Sequence, residues 1–205
     1  MHARESRPAA TGAARPRLVL ASASPRRARI LADLGASFLV HPADAEEPRP
    51  ADPAEAVRAA ALAKHAAARA AADPREAILA ADTLVECDGV PLGKPRDRED
   101  AVATLLRLSG REHRVLTAVA ASASSDAGPD VFVEVSRVRF RPLSRSDAEA
   151  YLDLAHTLDR AGAYDIATHG ERLVAALDGS FTNVMGLPAA PVADWLRAHR
   201  LLPAP

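Results

Sequence analysis

Short apolar runs alternate with amphipathic stretches along this chain, and the residues between them mark where each element begins and ends. Leu18 to Ala21 is a compact apolar run suited to a buried strand. Ser24 at the N-cap and Pro25 at the first helical position predict a helix from Pro25. Its apolar positions Ile30, Leu31 and Leu34 recur at helical spacing until Gly35 closes it. Phe38 to Val40 reads as a short strand running into a polar, proline-marked loop from His41 to Pro50. Asp52-Pro53-Ala54-Glu55 opens a long alanine-rich helix ending near Asp73-Pro74. Within it Val57, Ala60, Ala61 and Lys64 share one stripe, so an ammonium lies on or beside the buried face, where it needs an anionic partner.

Ile78 to Ala81 is apolar and ends at Asp82-Thr83; Leu84 to Cys87, an Asp88-Gly89 turn and Val90 to Leu92 then form a hairpin. Asp97 to Asp100 opens a helix with Val102, Leu105 and Leu106 inward and Gly110 as its stop. Strands follow at His113 to Ala121 and Val131 to Phe140, joined by the loop Ser122 to Asp130. Ser144 to Leu154 is a capped helix, Arg172 to Leu177 a last strand before Asp178-Gly179, and Pro188 to Arg200 the closing helix. Hairpins are mixed in among the alternating strands and helices, which predicts an α/β fold with a mixed sheet and no strict doubly wound order.

At 205 residues the chain is long enough to bury a full core as one domain or as two lobes around a cleft. The balance of 26 basic and 27 acidic residues leaves no general polyanion-binding surface, and an aromatic fraction of 3% supplies no base-stacking platform, so nucleic acid is excluded as a partner. The single cysteine, Cys87, excludes an internal disulfide and a cysteine-based zinc site and fits a reducing cytoplasm. The first sixteen residues lack an apolar signal region and read as a disordered tail, with residues 17–205 as a single domain. No segment is long and apolar enough to span a membrane.

The chemistry concentrates in a few places. Arg26 and Arg27 sit in the first turn of a helix, where the dipole disfavours cations unless an anion lies between them and the free N–H groups. Gly89 to Pro95 looks at first like a phosphate-binding P-loop, but its glycine spacing is short, no Ser or Thr follows Lys94, and Pro95 bars the helix. What remains is one lysine on an extended turn, either a ligand for phosphate or a surface charge. Asp82 at a strand end is either a ligand position or an Asx-turn. Glu46 and Glu47 lie in a polar loop where solvated carboxylates are common. Taken as a set, Arg26, Arg27, Lys64 and Lys94 with two or three carboxylates from Glu46, Glu47 and Asp82 are what a polyphosphate carried with Mg²⁺ requires. His65, His113, His156 and His169 show no zinc spacing, and no G-x-S-x-G elbow accompanies Ser22 or Ser24.

Ala21-Ser22-Ala23-Ser24-Pro25-Arg26-Arg27, Asp82-Thr83, Leu92-Gly93-Lys94-Pro95, Ser109-Gly110 with His113 and Thr117, Ala161-Gly162-Ala163-Tyr164 and Gly179 to Pro188 together resemble the Maf family, in matching order from about Leu18 to Leu202. These are nucleoside triphosphate pyrophosphatases, also described as septum formation inhibitors. The resemblance implies an elongated mixed sheet flanked by helices, with two lobes around a cleft as in the inosine-triphosphatase group, and a homodimer. It implies hydrolysis between the α and β phosphorus atoms with a divalent cation, Mg or Mn. Asp82 would be the proton acceptor, Ser22, Arg27, Lys64 and Lys94 would hold the phosphates, and Glu47 with Asp82 would bind metal.

For the base, the selecting positions correspond to Arg26, Thr83 and a glutamine after the Ala-Gly-Ala-Tyr element. Thr83 and Ala163-Tyr164 resemble the dTTP/UTP branch, whereas the branch acting on methylated guanosine triphosphate typically has Gln at the position of Thr83. The expected glutamine is Ala167 here, which cannot make an amide's paired contacts. A competing class, a nucleotide-binding regulator of cell division that does not turn triphosphates over, fits the same charged set.

Overall fold

The computed structural model describes residues 17–46, 48 and 50–203; the expected tail over residues 1–16 and the candidate metal ligand Glu47 lie outside the described residues. The elements in chain order are β1 (Leu18–Leu20), α1 (Pro25–Asp33), β2 (Phe38–Val40), α2 (Pro53–Ala71), β3 (Ala77–Cys87), β4 (Val90–Leu92), α3 (Arg98–Leu108), β5 (Glu112–Ser122), β6 (Asp130–Phe140), α4 (Arg145–Leu154), β7 (Val174–Asp178), α5 (Phe181–Val184) and α6 (Ala189–Ala198). They build a seven-stranded sheet in the order β2-β1-β3-β5-β6-β7, with β4 paired to β3. The pairs β2–β1 and β1–β3 are parallel and all others antiparallel, which makes the α/β fold with a mixed sheet that the residue pattern implied.

Local chemistry sets most boundaries. Asp52 caps α2 by accepting from Glu55 N, Asp97 caps α3 by accepting from Asp100 N, and Ser144 with Asp147 forms a reciprocal capping box on α4. The β3–β4 hairpin turns on Asp88 and Gly89, at φ 53 and 78, the left-handed pair that a two-residue turn between twisted strands demands. Ser24 stands at the N-cap of α1, but its side chain makes no capping bond. The last strand begins at Val174, because Gly170–Arg172 closes into a 3-10 turn first.

One expectation fails in a way that matters. The sequence reading ends a strand at Asp82-Thr83, whereas β3 runs uninterrupted through both residues and pairs with β5 from Ile78 to Glu86. The reason lies on its other edge. There β1 covers Ala77 to Leu79 and β4 covers Val85 to Cys87, and among the described residues no strand covers the stretch between. Burial lapses at the same place: Asp82, Thr83 and Leu84 are half-buried in a strand whose other residues are buried. Apolar cores flank this notch. Leu20, Ile30, Leu31, Leu79, Val119 and Leu196 form one, and Val85, Leu105, Val115, Phe140 and Tyr151 belong to the other.

The second core carries a titratable group. His113 bonds the Tyr164 hydroxyl through Nε2 at 2.9 Å and packs edge-on against Phe140 and Tyr164. Burial pushes its pKa from 6.5 down to about 4. The folded protein therefore resists a proton that the unfolded chain accepts, so stability is intact above pH 6.5 and falls as the pH drops towards 4. The loss reaches about 3 kcal/mol for this group. Melting temperature measured from pH 8 to 4 should decline over that window, and less steeply in His113→Gln; parallel profiles would place the titration elsewhere.

Candidate active site

Strand directions aim two loops at the notch. β1 runs parallel to β3 and ends at Leu20, so the segment Ala21 to Ser24 arrives from one side. β4 runs antiparallel and ends at Leu92, opposite Val85, so Gly93 and Lys94 arrive from the other. Ligands in α/β folds gather where strand ends converge on a break in the sheet.

At the β1 end, Ser22 is 9% exposed, and its Oγ accepts from Ser24 N at 3.2 Å and from Arg27 Nη1 at 3.1 Å. The arginines of the first turn are held by several groups, one of them the carboxylate of Asp165 on Arg26. Both also reach the carbonyls at the end of α5, where the helix dipole favours cations. Arg26 Nε donates to Met185 O at 3.1 Å and Arg27 Nε to Gly186 O at 2.8 Å. Gly186 holds φ +107, and a Cβ there would meet Thr83 Oγ1 at 3.3 Å and Arg27 Nε at 3.5 Å, so glycine is what lets this carbonyl face the guanidinium.

Behind Arg27 runs a hydrogen-bond chain whose direction is determined. Arg27 Nη2 donates to Thr83 Oγ1 at 3.0 Å, and the buried Thr117 donates to Asn183 O at 3.0 Å. The 3.0 Å contact between the two hydroxyls is thus Thr83 donating to Thr117. Asn183, fully buried, ties this chain to Val115 O at 3.0 Å and to Ser136 Oγ at 2.9 Å.

Asp82 and Thr83 point to opposite faces, as neighbours on a strand must. Asp82 faces α2, where Lys64 Nζ lies 2.6 Å from Oδ1, both side chains being 18% exposed. This is the anionic partner that a lysine on the buried stripe needs. The helix comes close because its small residues meet small residues below: Val57 and Ala61 pack in one cluster with Leu116, Ala118 and Ala120.

The remaining candidates are less tightly gathered. Lys94 is exposed, and among the described residues no hydrogen bond or ion pair joins it to the set around Arg27. Gly93 O accepts from Gly162 N at 3.1 Å, which ties the lysine's turn to the Ala161-Gly162-Ala163-Tyr164 element. Ala167 is exposed, and its N donates to Asp165 Oδ1 at 3.0 Å. The other oxygen of Asp165 accepts from Arg26 Nη1 at 3.0 Å. Burial draws the Arg26 pKa down, while the Asp165 carboxylate opposes that shift.

Sequence reasoning gave Asp165 no role. The available signal was an arginine near an apolar stripe with no acid within a helical turn of it, and one aspartate in the segment under suspicion. Among the described residues no three His, Cys, Asp or Glu side chains cluster as a metal cage. The Asp82 carboxylate at the notch fits Mg²⁺ chemistry of the kind in which substrate phosphates complete the shell.

The family described as Maf-like protein matches residues 17–199. A dTTP/UTP pyrophosphatase of Bacillus velezensis is 42% identical over 187 residues, covering 90% of this chain and 97% of the relative. One from Moorella thermoacetica is 44% identical, covering 88% and 93%. One from Myxococcus xanthus is 45% identical, covering 83% and 86%. Among solved structures, the Staphylococcus aureus Ham1 protein has the same fold, with a TM-score of 0.52 at 17% identity over 89% of this chain and 98% of that one. Matched over nearly all its described length and aligned with most of each relative, the chain belongs to the Maf family.

Proposed function

We propose that the chain hydrolyses nucleoside triphosphates between the α and β phosphorus atoms, releasing a monophosphate and pyrophosphate, with preference for dTTP and UTP. The observation that carries this reading is Asp82, half-buried where β3 lacks a neighbour and held through one oxygen by Lys64 at 2.6 Å. The dTTP/UTP pyrophosphatase activity for which the Bacillus, Moorella and Myxococcus relatives are named supports the same substrates.

Attack at phosphorus calls for a positioned water and for charge neutralisation on the phosphoryl oxygens. With Oδ1 engaged by Lys64, Oδ2 of Asp82 is the oxygen that takes the proton from water. Ser22 and Arg27 at the β1 end and Lys94 on the turn after β4 hold phosphate oxygens together with Lys64 in this reading. Arg26, Thr83 and the turn at Ala167 form the base pocket. A divalent cation, magnesium or manganese, held by Asp82 and Glu47 with the substrate's phosphates, would supply further neutralisation of the phosphoryl oxygens.

Residues 17–205 act as one catalytic domain in this reading, and the protein is a cytoplasmic homodimer. The one cysteine, Cys87, is free and buried, in keeping with a reducing compartment, and among the described residues no helix is long and apolar enough to cross a membrane. The homodimer is what the resemblance to the family implies.

The test is purified protein with Mg²⁺ or Mn²⁺ against a panel of standard and modified triphosphates, scoring monophosphate with pyrophosphate separately from diphosphate with phosphate. Pyrophosphate release, fastest from dTTP and UTP, is the expected result. Tight triphosphate binding without release would turn the reading to a nucleotide-binding regulator of cell division.

A further inference from the structure

We propose that Asp165 is a positioning residue that sets base selectivity in this chain, by holding the Arg26 guanidinium and the backbone of Ala167 in one frame. The inference rests on the pyrophosphatase reading and refines its base pocket.

Asp165 is built to be immobile. Its side chain is 9% exposed; Oδ2 accepts from Arg26 Nη1 and Oδ1 from Ala167 N, each at 3.0 Å, and Arg160 Nε lies 3.7 Å from Oδ2 as a second cation on the same carboxylate. Its own backbone is clamped by one hydroxyl: Tyr151 Oη accepts from Asp165 N at 2.9 Å and donates to Asp165 O at 3.3 Å. The preceding residue, Tyr164, is anchored by His113 at 2.9 Å. Arg26 is pinned at a second point, Nε to Met185 O at 3.1 Å. A guanidinium fixed at Nε and Nη1 has its plane fixed, and Nη2 is the nitrogen presented to a ligand.

Ala167 offers no polar side-chain atom, so discrimination at this turn has to come from its neighbours. A guanidinium N–H donates to a base carbonyl. Uracil and thymine present two such oxygens and adenine none, so a fixed Nη2 favours the pyrimidines over adenine. Without Asp165, Arg26 loses its counter-charge while standing next to Arg27, whose Nη1 lies 3.1 Å from Ser22 Oγ on the phosphate side. A released cation beside a polyanion turns towards it. Asp165 therefore keeps Arg26 reading the base when electrostatics would make it another phosphate ligand.

The test uses the full chain with Asp165→Ala and Asp165→Asn. In Asp165→Ala the ratio of kcat/KM for dTTP over ATP should fall roughly tenfold, the scale of one hydrogen bond to a charged group. Competitive inhibition by inorganic tripolyphosphate should strengthen in the same variant. Asp165→Asn can satisfy Arg26 or Ala167 N with its one oxygen but not both, and should fall between. A purely structural role would lower the melting temperature and all substrates alike, leaving both the ratio and the tripolyphosphate inhibition unmoved, and that result in both variants overturns the proposal. Equilibrium binding of α,β-methylene analogues of UTP and ATP reads the same ratio without turnover. If the parent protein releases no pyrophosphate from any triphosphate, the pyrophosphatase reading fails, and the analogue ratio still decides the role of Asp165.

Discussion

Asp82→Asn lowers the rate of pyrophosphate release by roughly a thousandfold and leaves triphosphate affinity within a few-fold of the parent, because the amide keeps the shape of the carboxylate but cannot take a proton from water. The substitution is conservative for the fold. Asp82 lies inside the β3–β5 ladder, opposite Ala118 and between the pairs Ala81–Val119 and Thr83–Thr117, so its backbone is fixed whatever its charge. Its oxygen still accepts from Lys64, at some loss because a charged pair becomes a charged–neutral one, on the order of 1–2 kcal/mol. Single-turnover release and equilibrium binding, measured side by side, separate chemistry from affinity. Unchanged turnover would remove Asp82 from the role of proton acceptor.

Arg27→Ala has the second largest expected effect and acts on both binding and chemistry. The guanidinium joins Ser22, Thr83 and Gly186 O, which lie on three different segments of the chain. Truncation strips a phosphate contact that tightens as charge develops, so KM rises and kcat falls, with kcat/KM down about a hundredfold. It also leaves Gly186 O and Thr83 Oγ1 short of a donor, costing on the order of 2 kcal/mol of stability. Arg27→Lys recovers only part of the loss, since an ammonium cannot reproduce three bonds at the angles of a planar fork. Steady-state kinetics with thermal melts of both variants check this. A shift in melting temperature with unchanged kinetics would make Arg27 a scaffold residue only.

What the sequence made legible is what local chemistry decides. Asp52, Asp97 and Ser144 each bond a backbone N–H three residues on, so the starts of α2, α3 and α4 could be read from a few adjacent letters. Lys64 on its apolar stripe announced the need for an acid, and the structure supplies Asp82. The misreadings have causes far away in the chain. Asp82-Thr83 reads as a strand end because polar residues interrupt an apolar run, yet their polarity reflects the missing neighbour between β1 and β4, which only the assembled sheet reveals. Two of the groups that hold Arg26 and Arg27 are carbonyls at positions 185 and 186, on the turn after α5, a four-residue helix too short to have a hydrophobic period. Asp165 was equally silent. Its meaning depends on Arg26, 139 residues earlier, and on a tyrosine hydroxyl that clamps its backbone.

The alanines between α2 and the sheet have a consequence of their own. Ala61 on the helix and Ala118 and Ala120 on β5 carry no chemistry, yet their methyl groups set how far the helix axis stands from the strand that holds Asp82. They work as a gauge block. A lysine stem has a fixed reach, and the 2.6 Å contact with the carboxylate is available only at the spacing these small side chains allow. Each added methylene at that seam would lift the helix rather than fill a void, since packed interiors have little slack. The tolerance of the charged pair is thus machined into residues outside the proposed catalytic set, and a bulkier side chain at those alanines would disturb the pair without touching either charge.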